Sequence, residues 1–182
     1  MIRNVVIVGL GLMGGSMAKA VRAYTDCKIY GWNRTRAVAE EAIREGTLDG
    51  FAEDDVLAQT DLLVISLYPQ STIDWLAEHM GKLKPGCLIV DFVGVKQCMV
   101  DAITPLAKQY GVHYIGGHPM AGKEFSGFAY AEASLFQNAS MILVQTESSP
   151  LWAVDEVEGF FDQLGFGRVV RCSAEQHDHM IA

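Results

Sequence analysis

Residues 5–16 read Val-Val-Ile-Val-Gly-Leu-Gly-Leu-Met-Gly-Gly-Ser. Four successive apolar residues predict a strand covered on both faces. The glycines at 9, 11 and 14 then have GxGxxG spacing at the mouth of a helix. Gly9 permits the tight turn, Gly11 lets a pyrophosphate approach the backbone, and Gly14 allows close helix–strand packing while helix N–H groups face the phosphate charge. In a chain with 18 glycines the spacing alone is a weak signal. Its position between a strand and an amphipathic helix makes it strong: Met13, Met17, Val21 and Tyr24 share one helical face, with Ser16, Lys19 and Arg22 opposite. Gly9, Gly11, Leu12, Met13 and Gly14 are therefore the expected cofactor-binding residues of this loop.

Outward from this loop, short apolar runs at 28–31, 62–67, 87–92, 113–115, 141–144 and 168–170 alternate with helical patterns. Strand–helix–strand in this order implies parallel pairing through right-handed crossovers. The expected fold is α/β, a doubly wound, mostly parallel sheet. Ile73, Leu76, Ala77 and Met80 repeat the helical stripe, as do Val154, Val157, Phe161 and Leu164, after which Gly165 is placed to end the helix in a left-handed turn. Met99, Ile103, Leu106 and Tyr110 form another, where Pro105 is expected to kink or restart the helix with Thr104 as N-cap. Ser173 and Gln176 stand in capping-box positions. Residues 1–172 are expected to form a dinucleotide-binding domain and 173–182 the first turns of a helical domain, the chain end reading as a truncation.

Fourteen basic against 22 acidic residues give a net charge of −8 and a pI near 5.0, with no run of Lys or Arg. Nucleic acid and anionic membranes are unsuitable partners for such a surface. Cys27, Cys87, Cys98 and Cys172 lack CxxC spacing, so neither a metal site nor a disulfide framework is indicated, and a reducing cytoplasm is the expected location. The apolar opening superficially resembles a signal peptide, but the patterned glycines and the helix after them argue against one. No 18-residue apolar run is present.

The residue that distinguishes NAD from NADP should lie about 20 positions beyond the glycines. Asn33, Arg34 and Thr35 stand there. An acidic residue would bind a ribose 2′-hydroxyl and repel a 2′-phosphate. Asn33 has no such repulsion, Arg34 can stack on adenine and pair with the phosphate, and Thr35 adds a hydroxyl. NADP is favoured, with NAD as the alternative.

Ligands of an open parallel sheet bind beyond the carboxyl ends of its strands. Polar clusters follow several runs: Asn33-Arg34-Thr35, Ser66-Leu67-Tyr68, Gly94-Val95-Lys96, and residues 116–124 with His118, Lys123 and Glu124, and the first two of these clusters are expected to bind the cofactor. His118, between glycines and Pro119, is expected on a loop, where a neutral imidazole can take a proton from a substrate hydroxyl. His113 reads as strand packing and His79 as solvent-exposed. His177 and His179, two apart on a helix, point in divergent directions and form no metal pair.

GLGLMGGS at 9–16, DFVGVK at 91–96, GGHPMAGKEFSGF at 116–128 and SAEQHDHMIA at 173–182 together resemble the prephenate/arogenate dehydrogenase family of tyrosine biosynthesis, over essentially the whole chain. The resemblance implies a Rossmann-like fold and oxidative decarboxylation of prephenate, or of arogenate, with His118 as the catalytic residue at the substrate 4-hydroxyl. Lys96 is the second catalytic candidate, and Gly94, Lys123 and Glu124 are substrate-binding candidates. Many members have a serine where Gly94 stands. The family continues into a helical domain that supplies substrate contacts and most of a homodimer interface, so the chain alone is expected to turn over substrate poorly. A non-catalytic NADP-binding regulatory module is the rival reading.

Overall fold

The valines and isoleucine of residues 5–8 are completely buried, as a strand flanked by strands and covered by helices requires. The computed structural model describes residues 1–182. In chain order the elements are β1 (Asn4–Val8), α1 (Leu12–Tyr24), β2 (Lys28–Trp32), α2 (Arg36–Arg44), β3 (Gly50–Phe51), α3 (Asp54–Leu57), β4 (Leu62–Ile65) and α4 (Pro69–His79). They continue with β5 (Leu88–Asp91), α5 (Gln97–Tyr110), β6 (His113–Met120), β7 (Ser140–Val144), α6 (Leu151–Gln163), β8 (Arg168–Cys172) and α7 (Ala174–Ile181). One eight-stranded sheet results, in the order β3-β2-β1-β4-β5-β6-β7-β8. Its pairings are parallel except for β6 with β7.

Strand alternation divides the core in two. Val5, Ile7, Val64, Val90 and Ile115 pack with residues of α1, α2 and α6 on one face. Val6, Val8, Leu63, Ile65 and Ile89 pack with residues of α4 and α5 on the other. Burying each such side chain is worth about 1.5–3 kcal/mol. The central strands, apolar on both faces, therefore anchor the rim on which the site is built. No helix is long and apolar enough to cross a membrane.

Several local expectations are corrected. Residues 116–120 are not a loop: β6 runs on to Met120, because Gly116–Met120 pairs antiparallel with Ser140–Val144. Pro105 neither breaks nor restarts α5, which is continuous from Gln97 to Tyr110 and held by its buried face of Met99, Ile103 and Ala107. Ser16 is buried, not solvated, and its hydroxyl accepts from the Glu132 N–H at 3.0 Å. His79 is half-buried, stacked on Trp75 at 4.1 Å. Gly165 does follow α6 with φ +95°, and Ser173 and Gln176 do form a capping box.

Candidate active site at the carboxyl rim of the sheet

β2, β1, β4, β5 and β6 are mutually parallel, so the segments after them meet along one rim. The glycine loop is built by contacts that exclude side chains. A Cβ on Gly9, whose φ is +90°, would lie 2.3 Å from the Ser66 carbonyl oxygen, and one on Gly14 would lie 1.8 Å from the Gly9 carbonyl oxygen. Gly11 differs: it is exposed, with nothing within 4 Å of the Cβ it lacks. Behind it α1 begins with no acidic residue in its first turn and no side chain capping its N–H groups. An open glycine before uncapped helix donors fits a pyrophosphate. Leu12 and Met13, in the first turn of α1, are half-buried at its edge.

Asn33 braces this loop. Its Oδ1 accepts from the Leu10 N–H at 2.8 Å and its Nδ2 donates to the Thr35 carbonyl at 2.9 Å. Arg34 and Thr35 are exposed beside it. Arg34 borders a cavity of about 320 Å³ lined also by Arg36, Phe51, Glu53, Asp54 and His79. Arg36 lies 3.7 Å over the Phe51 ring and 3.5 Å from the Glu53 carboxylate, within cation–π distance of the ring. Arg36 lies one position beyond the Asn33-Arg34-Thr35 motif. The second arginine of Asn-Arg-Thr-Arg was the available signal for Arg36. Ser66 and Leu67 form the wall at the end of β4, and Tyr68 is 85% exposed.

His118 lies two positions beyond Gly116, which pairs with Asp91 at the end of β5, so the strand carries the imidazole past the rim of its neighbour. The Cβ that Gly94 lacks would stand 3.9 Å from both Cε1 and Nε2 of this ring. Nε2 thus faces the open space over an exposed glycine. On the other side, His118 Nδ1 lies 2.7 Å from Nε2 of His177, which is completely buried on α7. His177 Nδ1 meets the Asp178 carboxylate at 2.8 Å. His177 and His179 do diverge, but His177 turns inward to His118 while His179 is exposed. Period alone could not reveal that α7 packs against α5 and β7.

Burial lowers the pKa of His118 below the ordinary 6.5, the charges of His177 and Lys96 lower it further, and Asp91 acts against them. If His118 serves as a base, it works only unprotonated, so activity of the complete protein should be full above the lowered value and fall as pH drops through it. We expect the acid limb of kcat/KM to inflect below 6.5. An inflection above that value would contradict this site.

Lys96 does not reach the open rim. Its ammonium is buried, donating to Asp91 at 2.6 Å and to the Val93 carbonyl, while Tyr114 donates to the same carboxylate at 2.8 Å. Gly116 makes room for the lysine stem, since a Cβ there would lie 2.9 Å from Lys96 Cδ. So placed, Lys96 pins the Val93–Gly94–Val95 turn from beneath. Lys123 pairs with Glu132 and donates to the Tyr130 carbonyl at 3.0 Å, while Glu124 is exposed. Neither of the two is brought to His118.

Comparison with known proteins agrees with the geometry. Residues 17–170 match the family model of the prephenate dehydrogenase nucleotide-binding domain. A cyclohexadienyl dehydrogenase from Zymomonas mobilis is 31% identical over 99% of the chain and 61% of its own length. The crystal structure of prephenate dehydrogenase from A. aeolicus in complex with hydroxyphenyl propionate and NAD+ superposes with a TM-score of 0.88 at 27% identity, covering 100% of this chain and 63% of that one. Synechocystis arogenate dehydrogenase gives a TM-score of 0.88 at 26% identity, covering 98% and 62%. The chain thus spans about three-fifths of these relatives. With a glycine cradle open to a nicotinamide dinucleotide and a histidine at the adjoining rim, the chain belongs to the prephenate dehydrogenase nucleotide-binding domain family.

Proposed function

We propose that the protein carrying this chain performs the oxidative decarboxylation of prephenate to 4-hydroxyphenylpyruvate, with His118 as the base at the 4-hydroxyl. The single observation that carries this reading is His118 Nε2, left open beside Gly94 at the rim that the glycine loop shares. When bound, a nicotinamide supplies the hydride acceptor. His118 takes the hydroxyl proton as hydride leaves the same ring carbon, and the bond to the ring carboxylate breaks as carbon dioxide departs. That electron pair completes the aromatic ring, and the proton returns to the phenolic oxygen, so no net proton is released. Aromatisation drives the reaction, which leaves the protein to position and deprotonate. Lys96 would act through the turn it pins, and substrate contact by Gly94, Lys123 or Glu124 stays within the proposal.

The test is turnover of prephenate, with arogenate in parallel, by the complete protein. Faster turnover of arogenate would move the assignment to that substrate. Absence of turnover with either would favour a non-catalytic NADP-binding module. We further propose that residues 173–182 open a helical domain that completes the substrate pocket and a homodimer, and that the protein works in the cytoplasm. The isolated chain should then bind dinucleotide and turn over substrate poorly.

NADP is the proposed cofactor, with NAD as the alternative. Support comes from the exposed Arg34, from Arg36 placed over Phe51, and from the absence of an acidic side chain at the end of β2. A charge-assisted hydrogen bond to the 2′-phosphate contributes about 1.5–3 kcal/mol, so NADPH should bind roughly tenfold or more tightly than NADH, and Arg34→Gln should reduce the difference. Calorimetric titration with both cofactors decides the matter, and tighter binding of NADH would overturn the preference.

A further inference from the structure

The amino end of α5 has no cap of its own: its first turn holds no acidic residue, and Lys96 at the N-cap makes no side-chain cap. Asp178, from α7, takes that place. Its carboxylate accepts from the backbone N–H of Lys96 at 2.8 Å and of Gln97 at 3.0 Å. Burial raises the pKa of this carboxyl, but the bonds from Gln97, His177 and Lys96 prevail and hold it below the ordinary carboxylate value. Asp178 is therefore an ionised group that can only accept.

The consequence passes along the chain of contacts one proton at a time. His177 Nδ1, 2.8 Å from Asp178, must carry a hydrogen. In neutral His177 the other nitrogen, Nε2, is then a lone pair. His118 Nδ1, 2.7 Å away, must donate to it. Neutral His118 is left with its lone pair on Nε2, the atom beside Gly94. We infer that His177 and Asp178 are positioning residues that fix His118 in the tautomer with Nδ1 protonated and Nε2 free to accept. The other charged groups around His118 are Lys96 and Asp91, which are paired with each other. They bear on whether the ring is charged but touch neither of its nitrogens in a way that selects a tautomer. The catalytic meaning of this assignment rests on the reading of His118 as the base, whereas the tautomer itself does not.

The test is therefore made first without substrate. Two-bond ¹H–¹⁵N spectra of the 182-residue chain, above neutral pH, report which nitrogen of each imidazole is protonated, and His118→Asn identifies the signal of interest. His118 should show a protonated Nδ1 and a bare Nε2. In Asp178→Ala the acceptor at His177 Nδ1 is lost, so neither ring is fixed and the His118 signal should become a mixture of tautomers. His177→Leu leaves Asp178 on α5 but removes the acceptor, and should yield a mixture of tautomers. His177→Gln, whose side-chain oxygen can replace Nε2 as acceptor, should restore the wild-type pattern.

In the complete enzyme Asp178→Ala should lower kcat several-fold, in proportion to the fraction of His118 in the wrong tautomer, since an imidazole held wholly in that form costs up to about 10⁴-fold. The dinucleotide Kd should not move. A wild-type His118 protonated on Nε2, or an unchanged tautomer in Asp178→Ala, would overturn the inference. If Asp178→Ala does not fold, His177→Leu decides it: retention of the wild-type tautomer there is equally fatal. Failure of the complete protein to turn over prephenate would count against the proposed function alone, because the spectra are read independently of turnover.

Discussion

Asparagine in place of His118 should lower prephenate turnover by the complete protein about 10²–10⁴-fold, the usual contribution of a positioned acid–base group, while leaving dinucleotide affinity nearly unchanged. At about 1.36 kcal/mol per tenfold, this corresponds to roughly 3–5 kcal/mol of transition-state stabilisation. Asparagine is the informative substitution because its amide can still donate to His177 as Nδ1 does at 2.7 Å, but it puts no base beside Gly94. Packing and the connection to α7 are thus kept while the chemistry is removed. The comparison requires kcat from initial rates and Kd from cofactor titration on the same preparation. Retained turnover would assign His118 to structure. A parallel loss of cofactor affinity would show that the substitution had disturbed the rim as a whole.

Alanine at Gly14 and at Gly11 should fail in opposite ways. At Gly14 the added Cβ would lie 1.8 Å from the Gly9 carbonyl oxygen, a backbone atom that no rotamer change can move aside. Either the turn or the first turn of α1 must shift, at a cost at or above the upper end of the roughly 1–3 kcal/mol typical of overpacking. For a chain of this size 3 kcal/mol is about 6–12 °C in Tm. Gly11→Ala meets nothing within 4 Å, and the backbone there, with φ −78°, is open to any residue. Its Tm should change little, because an alanine at a helix N-cap costs only about 1 kcal/mol. The methyl would nevertheless occupy the approach of the pyrophosphate, so affinity for NADPH and NADH should fall together, by about tenfold or more. Thermal melts and cofactor titrations of both variants check this. Unchanged cofactor affinity in Gly11→Ala would return the glycine loop to a strand–helix turn without a ligand.

The contrast between these glycines shows what the sequence could convey. The reason for GxGxxG is local, confined to one strand, one turn and one helix, so residues 5–16 were legible. So were the left-handed Gly165 and the capping box at Ser173 and Gln176, each set by neighbours within a few positions. What escaped was fixed by partners distant in the chain. His118 is in a strand because β7 returns antiparallel beside it, and Pro105 stays inside a helix because tertiary packing of its buried face outweighs propensity. Lys96 looked like a free cation until Asp91 and Tyr114 enclosed it. The pairing of His118 with His177 spans 59 positions, and no spacing rule connects them. Arg36 and Glu53 likewise meet only because β3, two residues long, places Phe51 beside β2.

The central claim is that a dinucleotide crosses the rim with its nicotinamide end at His118. Chemical-shift mapping during titration of the 182-residue chain tests it most directly, with NADPH in one experiment and adenosine 2′,5′-bisphosphate, which has no nicotinamide, in the other. The account predicts that both ligands shift the backbone amides of Gly11 and Arg34, and that only NADPH shifts the ring signals of His118. Saturation with NADPH that moves Gly11 and leaves His118 untouched would contradict it.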